Sequence, residues 1–431
     1  MQRRDFLRWS GTAATGAFGL ATLPGTLQAA LTEPLDLGLT PPAADVARDE
    51  GYWARVRSLY PVDPSLLDFD HGNSGHTPVR VLDRYLRDAR LLNAAPNVHY
   101  PRFMSNEAMY TTISAFLGAR PEEVALVPNA TQALNTVLHG FPLQRGDEVL
   151  VSNHEYPDMV ATLQQRAKRE GIVVRTVPVP PADADGATFV RALGAAVTPR
   201  TRFALLSHVS AWNGEVLPVA DACSMLRARN VATCVDAAQS VGFLDVNFGA
   251  IGCDFLALSW HKGMCAPIAT GALVMKPRWF GVLMPLHPPT WDVGKFPIEQ
   301  YAWTGTANLA GYAAIPTAIS VQQQIGVANK RARLEYLGSY WQSRLARLPR
   351  VRLLTPSAPA RRMGFASFAI DGIPSKQVAQ RLHDQHKLVV QSKAERPFKP
   401  FAEAVRVTPQ PYATLRELDR FVAAVTAVAR G

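Results

Sequence analysis

Between residues 79 and 281, short β-branched and apolar runs alternate with stretches whose apolar residues recur at helical spacing. The runs at 124–127, 148–152, 172–177, 202–208, 231–235, 255–258 and 272–275 read as buried strands. Helical patterns at 131–139, 159–170 and 221–229 lie between them. A strand without a polar face needs cover on both sides, and the intervening helices can supply it. The pattern predicts an α/β fold on a mostly parallel, seven-stranded sheet. It also restricts where chemistry can occur, because ligands of such sheets bind beyond the carboxyl ends of the strands.

At 431 residues the chain exceeds what one core usually serves, and 48% of it is hydrophobic. An irregular segment with Pro and Trp at 285–297 precedes two long helical patterns, 310–324 and 330–345. Shorter strand and helix signals follow at 365–370, 375–383, 388–391, 404–408 and 414–428. They predict a large domain over 79–309 and a smaller α+β domain over 310–431, completed by an N-terminal arm at 31–78. Within the arm, 31–50 is rich in Pro, Leu and acidic residues and is expected to be extended.

Residues 1–30 follow another logic: Gln2-Arg3-Arg4-Asp5-Phe6-Leu7-Arg8, a weakly apolar run over 11–27, then Ala29-Ala30. A charged start, an apolar middle and a small-residue end describe an export signal. The paired arginines before Phe-Leu resemble the twin-arginine type, although Gln2 and Arg8 replace the usual Ser/Thr and Lys. Export as a folded protein to the periplasm by the twin-arginine machinery is expected. No later stretch approaches the roughly 18 uninterrupted apolar residues of a membrane span, so no stable membrane insertion is expected.

Formal net charge is +10, of which Arg3, Arg4 and Arg8 against Asp5 supply +2. The other basic residues are scattered and not interleaved with aromatics, which argues against nucleic acid as a partner. Cys223, Cys234, Cys253 and Cys265 lie singly, without a CxxC pair or a His at ligand spacing. No metal site is expected from them.

Four strand ends are chemically loaded: Asn129-Ala130-Thr131, His154-Glu155-Tyr156, Asp236-Ala237-Ala238-Gln239 and Ser259-Trp260-His261-Lys262. Taken singly, each also suits a cap, a turn or an ordinary surface residue. Together they suit one ligand. A helix N-terminus with a hydroxyl, at Ala130 and Thr131, suits a phosphate. Tyr156 offers a flat face to an aromatic ring. Asp236 offers a carboxylate to a pyridinium nitrogen. Lys262 offers an amine to an aldehyde. The ligand these groups describe is pyridoxal 5′-phosphate (PLP).

The text from about residue 66 onward resembles class V of the fold-type I PLP enzymes, which includes cysteine desulfurases, kynureninases and isopenicillin N epimerases. Asp236-Ala237-Ala238-Gln239 is similar to that class's Asp-x-Ala-Gln motif. Ser259-Trp260-His261-Lys262, which ends 26 residues after Asp236, is similar to its Ser-x-His-Lys motif. The resemblance implies that Lys262 bonds the cofactor's aldehyde and later carries the Cα proton. It implies that Asp236 pairs with the ring nitrogen, Gln239 donates to the phenolic oxygen, and Tyr156 stacks on the ring. Ala130, Thr131, Ser259 and His261 would hold the phosphate. Thr306, in Gly305-Thr306-Ala307-Asn308, would reach the phosphate of a partner subunit, implying a homodimer. Arg406 would clamp a substrate α-carboxylate, and Asn213 would take the place of a contact that desulfurases make from the position of Ala211.

Segment 391–401 contains no Cys, where desulfurases carry their nucleophile. Segments 67–75 and 154–156 resemble the isopenicillin N epimerase-like subgroup instead. The implied activity is Cα deprotonation on the α-amino group of an amino acid or peptide-borne amino acid, with an epimerase-like or aminotransferase outcome. A C–X lyase and a PLP-fold binding protein without turnover are the alternatives.

Overall fold

The computed structural model describes residues 34, 35, 37, 43–104, 106–181, 184–291, 296–393 and 398–431. The export signal expected at 1–30 lies outside them. Residues 43 onward are not extended as expected: they form helices Ala43–Val46 and Glu50–Arg57. The second starts where the Asp49 carboxylate accepts the Tyr52 N–H at 2.9 Å, an N-cap the composition of the arm concealed.

A short strand, β1 (Leu67–Asp68), follows. The large sheet comprises β2 (Val124–Val127), β3 (Glu148–Ser152), β4 (Val173–Val177), β5 (Thr201–Ser207), β6 (Ala232–Asp236), β7 (Phe255–Ser259) and β8 (Gly271–Met275). Their order is β2-β8-β7-β6-β5-β3-β4, the seven-stranded sheet that the sequence predicts. Only β8 runs against its neighbours. The carboxyl ends of β2, β3, β5, β6 and β7 therefore share one edge. Strands β2, β3, β6 and β7 are buried throughout, which explains their lack of a polar face.

The C-terminal region adds β9 (Val351–Leu353), β10 (Ala366–Ile370), β11 (Leu388–Val389), β12 (Gln391–Ser392) and β13 (Val405–Val407). Four of them form an antiparallel sheet of order β12-β13-β10-β9. The fifth, β11, pairs in parallel with β1 and so brings the N-terminal segment to this sheet. Trp341, Phe368, Leu418 and Phe421 belong to its core. The helix Leu415–Arg430 begins with a reciprocal cap between Thr414 and Glu417. The single helix expected at 310–324 is two, Leu309–Ala313 and Ile315–Ile325, separated at Ala314 just before Pro316. Both pack against the helix Val79–Ala94. Asp36–Gly431 packs as one compact unit. Among the described residues no helix is long and apolar enough to cross a membrane.

Arg333 ties the two ends of this unit together. Its side chain is fully buried and donates to the carbonyls of Ala47, Pro411 and Ala413 at 2.9, 3.1 and 3.0 Å, and to Glu50 at 2.7 Å. Methionine there would fill much of the volume but strand three buried carbonyls and one carboxylate. Arg333→Met is expected to lower unfolding free energy by about 4 kcal/mol. Urea unfolding checks this, and a loss below about 1 kcal/mol would contradict it.

Candidate active site

Beyond the shared strand edge lies a cleft walled by Asn73, Ala130, Thr131, Tyr156, Gln239 and Lys262, with Asp236, Ser259 and His261 among the other lining residues. Eight of the residues expected from sequence, drawn from four strand ends, therefore meet at one site. The register explains the meeting. Asp236 is the last residue of β6 and stands beside Ser207 on β5 and Ala257 on β7. Lys262 follows three residues after β7 ends.

Asp236 is buried, and its Oδ1 accepts the Ala238 N–H at 2.9 Å. Burial raises its pKa, the Ala238 N–H lowers it, and the Lys262 charge lowers it further. A buried carboxylate held by a single backbone N–H is suited to a cationic partner. Lys262 is pushed down to about 8 by burial, against the pull of Asp236. Its amine is thus partly unprotonated near neutrality, as a nucleophile must be.

The helix Ala130–Gly140 points its first turn into the cleft. Asn129 caps it by accepting the Gln132 N–H at 2.9 Å, and Ser259 Oγ accepts the Ala130 N–H at 3.0 Å. Ser259 keeps its hydroxyl hydrogen for a ligand. Gly271 permits this closeness, since a Cβ there would lie 2.6 Å from Asn129 Cα and 2.7 Å from the Leu258 carbonyl oxygen. His261 Nδ1 lies 3.2 Å from the Thr270 carbonyl, so that nitrogen carries the hydrogen. Its Nε2 can then donate only when the ring is protonated. Burial, followed by the Lys262 charge, lowers its pKa, and an anion alongside would oppose both. Gln239 donates to the Gly72 carbonyl at 2.7 Å, which leaves its second amide hydrogen.

Three expected residues stand differently. Asn213 is spent internally: its amide nitrogen donates to Glu215 and the Leu354 carbonyl, and its oxygen accepts the Glu215 N–H. It does not line the cleft and braces the 213–215 turn instead. Thr306 lies on a turn whose neighbours Gly305 and Ala307 line a separate cleft with Tyr100 and Tyr110. Arg406, on β13, has a side chain only 2% exposed and is already engaged. It donates to Asp70 Oδ1 at 2.9 Å and to the Ala211 carbonyl at 3.1 Å. Gly72 packs on its guanidinium, where a Cβ would come within 2.9 Å. A buried cation takes the nearest carboxylate, and here that is Asp70.

Sequence reasoning also passed over Glu155. It lies behind the cleft, taking the hydroxyls of Ser152 and Ser207 at 2.6 Å each. Burial, aided by the Asp236 charge, raises it to about 7. Glu155 thus lies beside Tyr156, which itself lines the cleft.

A PLP-shaped set of donors is therefore assembled on a fold of the matching type. Residues 69–421 match the family described as aminotransferase class-V, and the chain belongs to that family. It is 29% identical over 394 residues to the isopenicillin N epimerase of Streptomyces clavuligerus, spanning 87% of this chain and 98% of that one. It is 31% identical over 395 residues to the isopenicillin N epimerase of Amycolatopsis lactamdurans, spanning 86% and 98%. A probable cysteine desulfurase of Xylella fastidiosa is 26% identical over 404 residues, spanning 87% and 95%. Among solved structures, a cysteine desulfurase from Thermococcus onnurineus NA1 superposes with a TM-score of 0.76 at 22% identity, covering 88% of this chain and 98% of that one. The protein is a class V PLP-dependent enzyme of fold-type I.

The Lys262 amine sets a pH dependence for cofactor uptake. Only the free base attacks an aldehyde, and its share rises about tenfold per pH unit below the pKa. Reloading of cofactor-free protein with PLP is expected to accelerate up to about pH 8 and then level off. A rate still climbing between pH 9 and 10, read by stopped-flow absorbance, would contradict the shifted amine.

Proposed function

We propose that the protein deprotonates Cα of an amino acid or peptide-borne amino acid that presents a free α-amino group, with an epimerase-like or aminotransferase outcome. The observation that carries this reading is Lys262 in the cleft beside Asp236, with no cysteine in segment 391–401 to attack sulfur. The isopenicillin N epimerases, aligned over 98% of their length, support the same reading. The desulfurase relatives keep a C–X lyase as the second reading.

PLP, when bound, supplies an electron sink for the bond broken at Cα. The rest falls to the chain. Asp236 holds a proton on the ring nitrogen through its carboxylate. Ala130, Thr131, Ser259 and His261 anchor the phosphate, Tyr156 covers a ring face, and Gln239 donates to the phenolic oxygen. Lys262 Nζ would hold the cofactor through its aldehyde and, when free, would take the Cα proton. Delivery of a proton to the opposite face of Cα would give an epimer. Thr306, which stays outside its own cleft, serves a second subunit in a homodimer. Export by the twin-arginine route places the holoenzyme in the periplasm, where exported peptides are candidate substrates.

Arg406 is the carboxylate clamp, and Asp70 holds its place until substrate arrives. Asp70→Asn is expected to lower stability by about 2 kcal/mol, since a buried guanidinium loses its counter-charge. It should also lower KM for carboxylate-bearing substrates about tenfold, because the competing anion is gone. An unchanged KM would remove Arg406 from substrate binding.

The reading is tested by incubating the protein in D₂O with amino acids and peptides and following Cα deuterium by mass spectrometry. Exchange without sulfide release is expected. Sulfur release from cysteine would establish the lyase reading, and no exchange with any substrate would leave a binding protein.

A further inference from the structure

The segment that supplies Asp70 and Asn73 to the active site also carries Asp68, His71 and His76, and these three side chains meet on its far side. One ligand atom from each lies within 4.8 Å of the others. His76 Nε2 is 3.7 Å from Asp68 Oδ2. Bound to one small ion, adjacent nitrogen and oxygen ligands stand about 3.3 Å apart, so the His76–Asp68 pair needs only a slight contraction and His71 must approach them.

Two of the three ligands are oriented from behind. Asp68 Oδ1 accepts the Asp70 N–H at 2.8 Å, which leaves Oδ2 to face His76. His76 Nδ1 lies 2.9 Å from the Tyr412 hydroxyl. With the hydrogen on Nδ1, the Nε2 lone pair is directed at the carboxylate. Support of this kind, through the other ring nitrogen, accompanies most histidine ligands.

His71 supplies the second, independent observation. It is 3% exposed, and neither ring nitrogen has a hydrogen-bond partner among the described residues. A buried imidazole with both nitrogens unpaired is uncommon unless something else binds there. An adjoining cleft reaches Asp68, His71 and His76 and gives solvent access. The cation on its wall, Arg57, is already paired with Glu417 at 2.8 Å. The local charge left over is that of Asp68, with Asp63 on the same wall.

We propose that Asp68, His71 and His76 bind a divalent first-row transition ion of the zinc type, with a solvent molecule from the cleft as its remaining ligand. Two imidazoles and one carboxylate match that class of ion and not calcium or magnesium, which take oxygen. The ion clamps the segment 68–76 and so supports Asp70 and Asn73 from behind. The spacing Asp68-x2-His71-x4-His76 is visible in the sequence, away from the cysteines on which the expectation of no metal rests.

The test uses PLP-loaded protein, stripped of metal by dialysis and titrated with Zn²⁺ in a calorimeter, with metal content read by mass spectrometry. One ion per chain is expected. Cobalt in its place should give the visible bands of a low-coordinate site. His76→Ala and Asp68→Asn should each weaken binding at least about 100-fold, while the visible absorbance of bound PLP is retained as evidence of folding. If His76→Ala does not fold, His76→Gln and Asp68→Asn carry the comparison. No stoichiometric binding by the parent protein would overturn the proposal. So would binding that survives these substitutions, since the ion would then sit elsewhere.

Discussion

Replacing Lys262 with alanine is expected to reduce Cα proton exchange by at least about a thousandfold, because one side chain both anchors the cofactor and moves the proton. The chain should remain folded. Lys262 is a buried amine whose pKa is pushed down to about 8, so removing it takes away a desolvated cation. Added small amines should restore part of the exchange, since they supply a base without the tether. Folding is checked by circular dichroism and exchange by mass spectrometry in D₂O. Retained exchange in the alanine variant would move the proton transfer to another residue.

Asp236→Asn separates activity from stability by moving them in opposite directions. Asparagine can still accept the Ala238 N–H, but it cannot hold a proton on the ring nitrogen, and exchange should fall about a hundredfold or more. PLP should still attach, because Lys262 is intact. In the cofactor-free protein, burial raises the Asp236 pKa above its unfolded value. A raised acid contributes stability that is fully present below the unfolded pKa and is lost as pH rises through the folded one. At neutral pH the cofactor-free variant is therefore expected to be at least as stable as the parent. Its advantage should fade on acidification. Thermal unfolding of the two cofactor-free proteins at pH 5 and pH 8 reads this directly. A variant less stable than the parent at pH 8 would show that Asp236 is stabilised by contacts other than the Ala238 N–H.

The large sheet was legible because most of its strands are apolar on both faces and its chemistry sits at strand ends. Asp236 and Lys262 are close in sequence and belong to the ends of adjacent parallel strands, so their meeting follows from the order of elements alone. The Arg406–Asp70 pair spans 336 residues and depends on β1 joining β11, which no local pattern reveals. Asn213 departs from its expected role for a related reason. Its amide looks free in sequence, yet Glu215 and Leu354 consume it once the 213–215 turn packs on the C-terminal sheet. The arm differs from expectation because Pro and acidic residues suggest extension, whereas Asp49 is a helix cap. His71 is marked in the sequence only by its spacing from Asp68 and His76; its burial without partners shows in the structure alone.

The central claim is that Lys262 is the amine that carries PLP in this cleft. Borohydride reduction of the PLP-loaded protein, followed by proteolysis and mass mapping, tests it most directly. A pyridoxyl group on the peptide containing Lys262, at about one per chain, is the expected result. Labelling elsewhere, for example at the similarly depressed Lys330, or an unlabelled Lys262 peptide, would contradict the account.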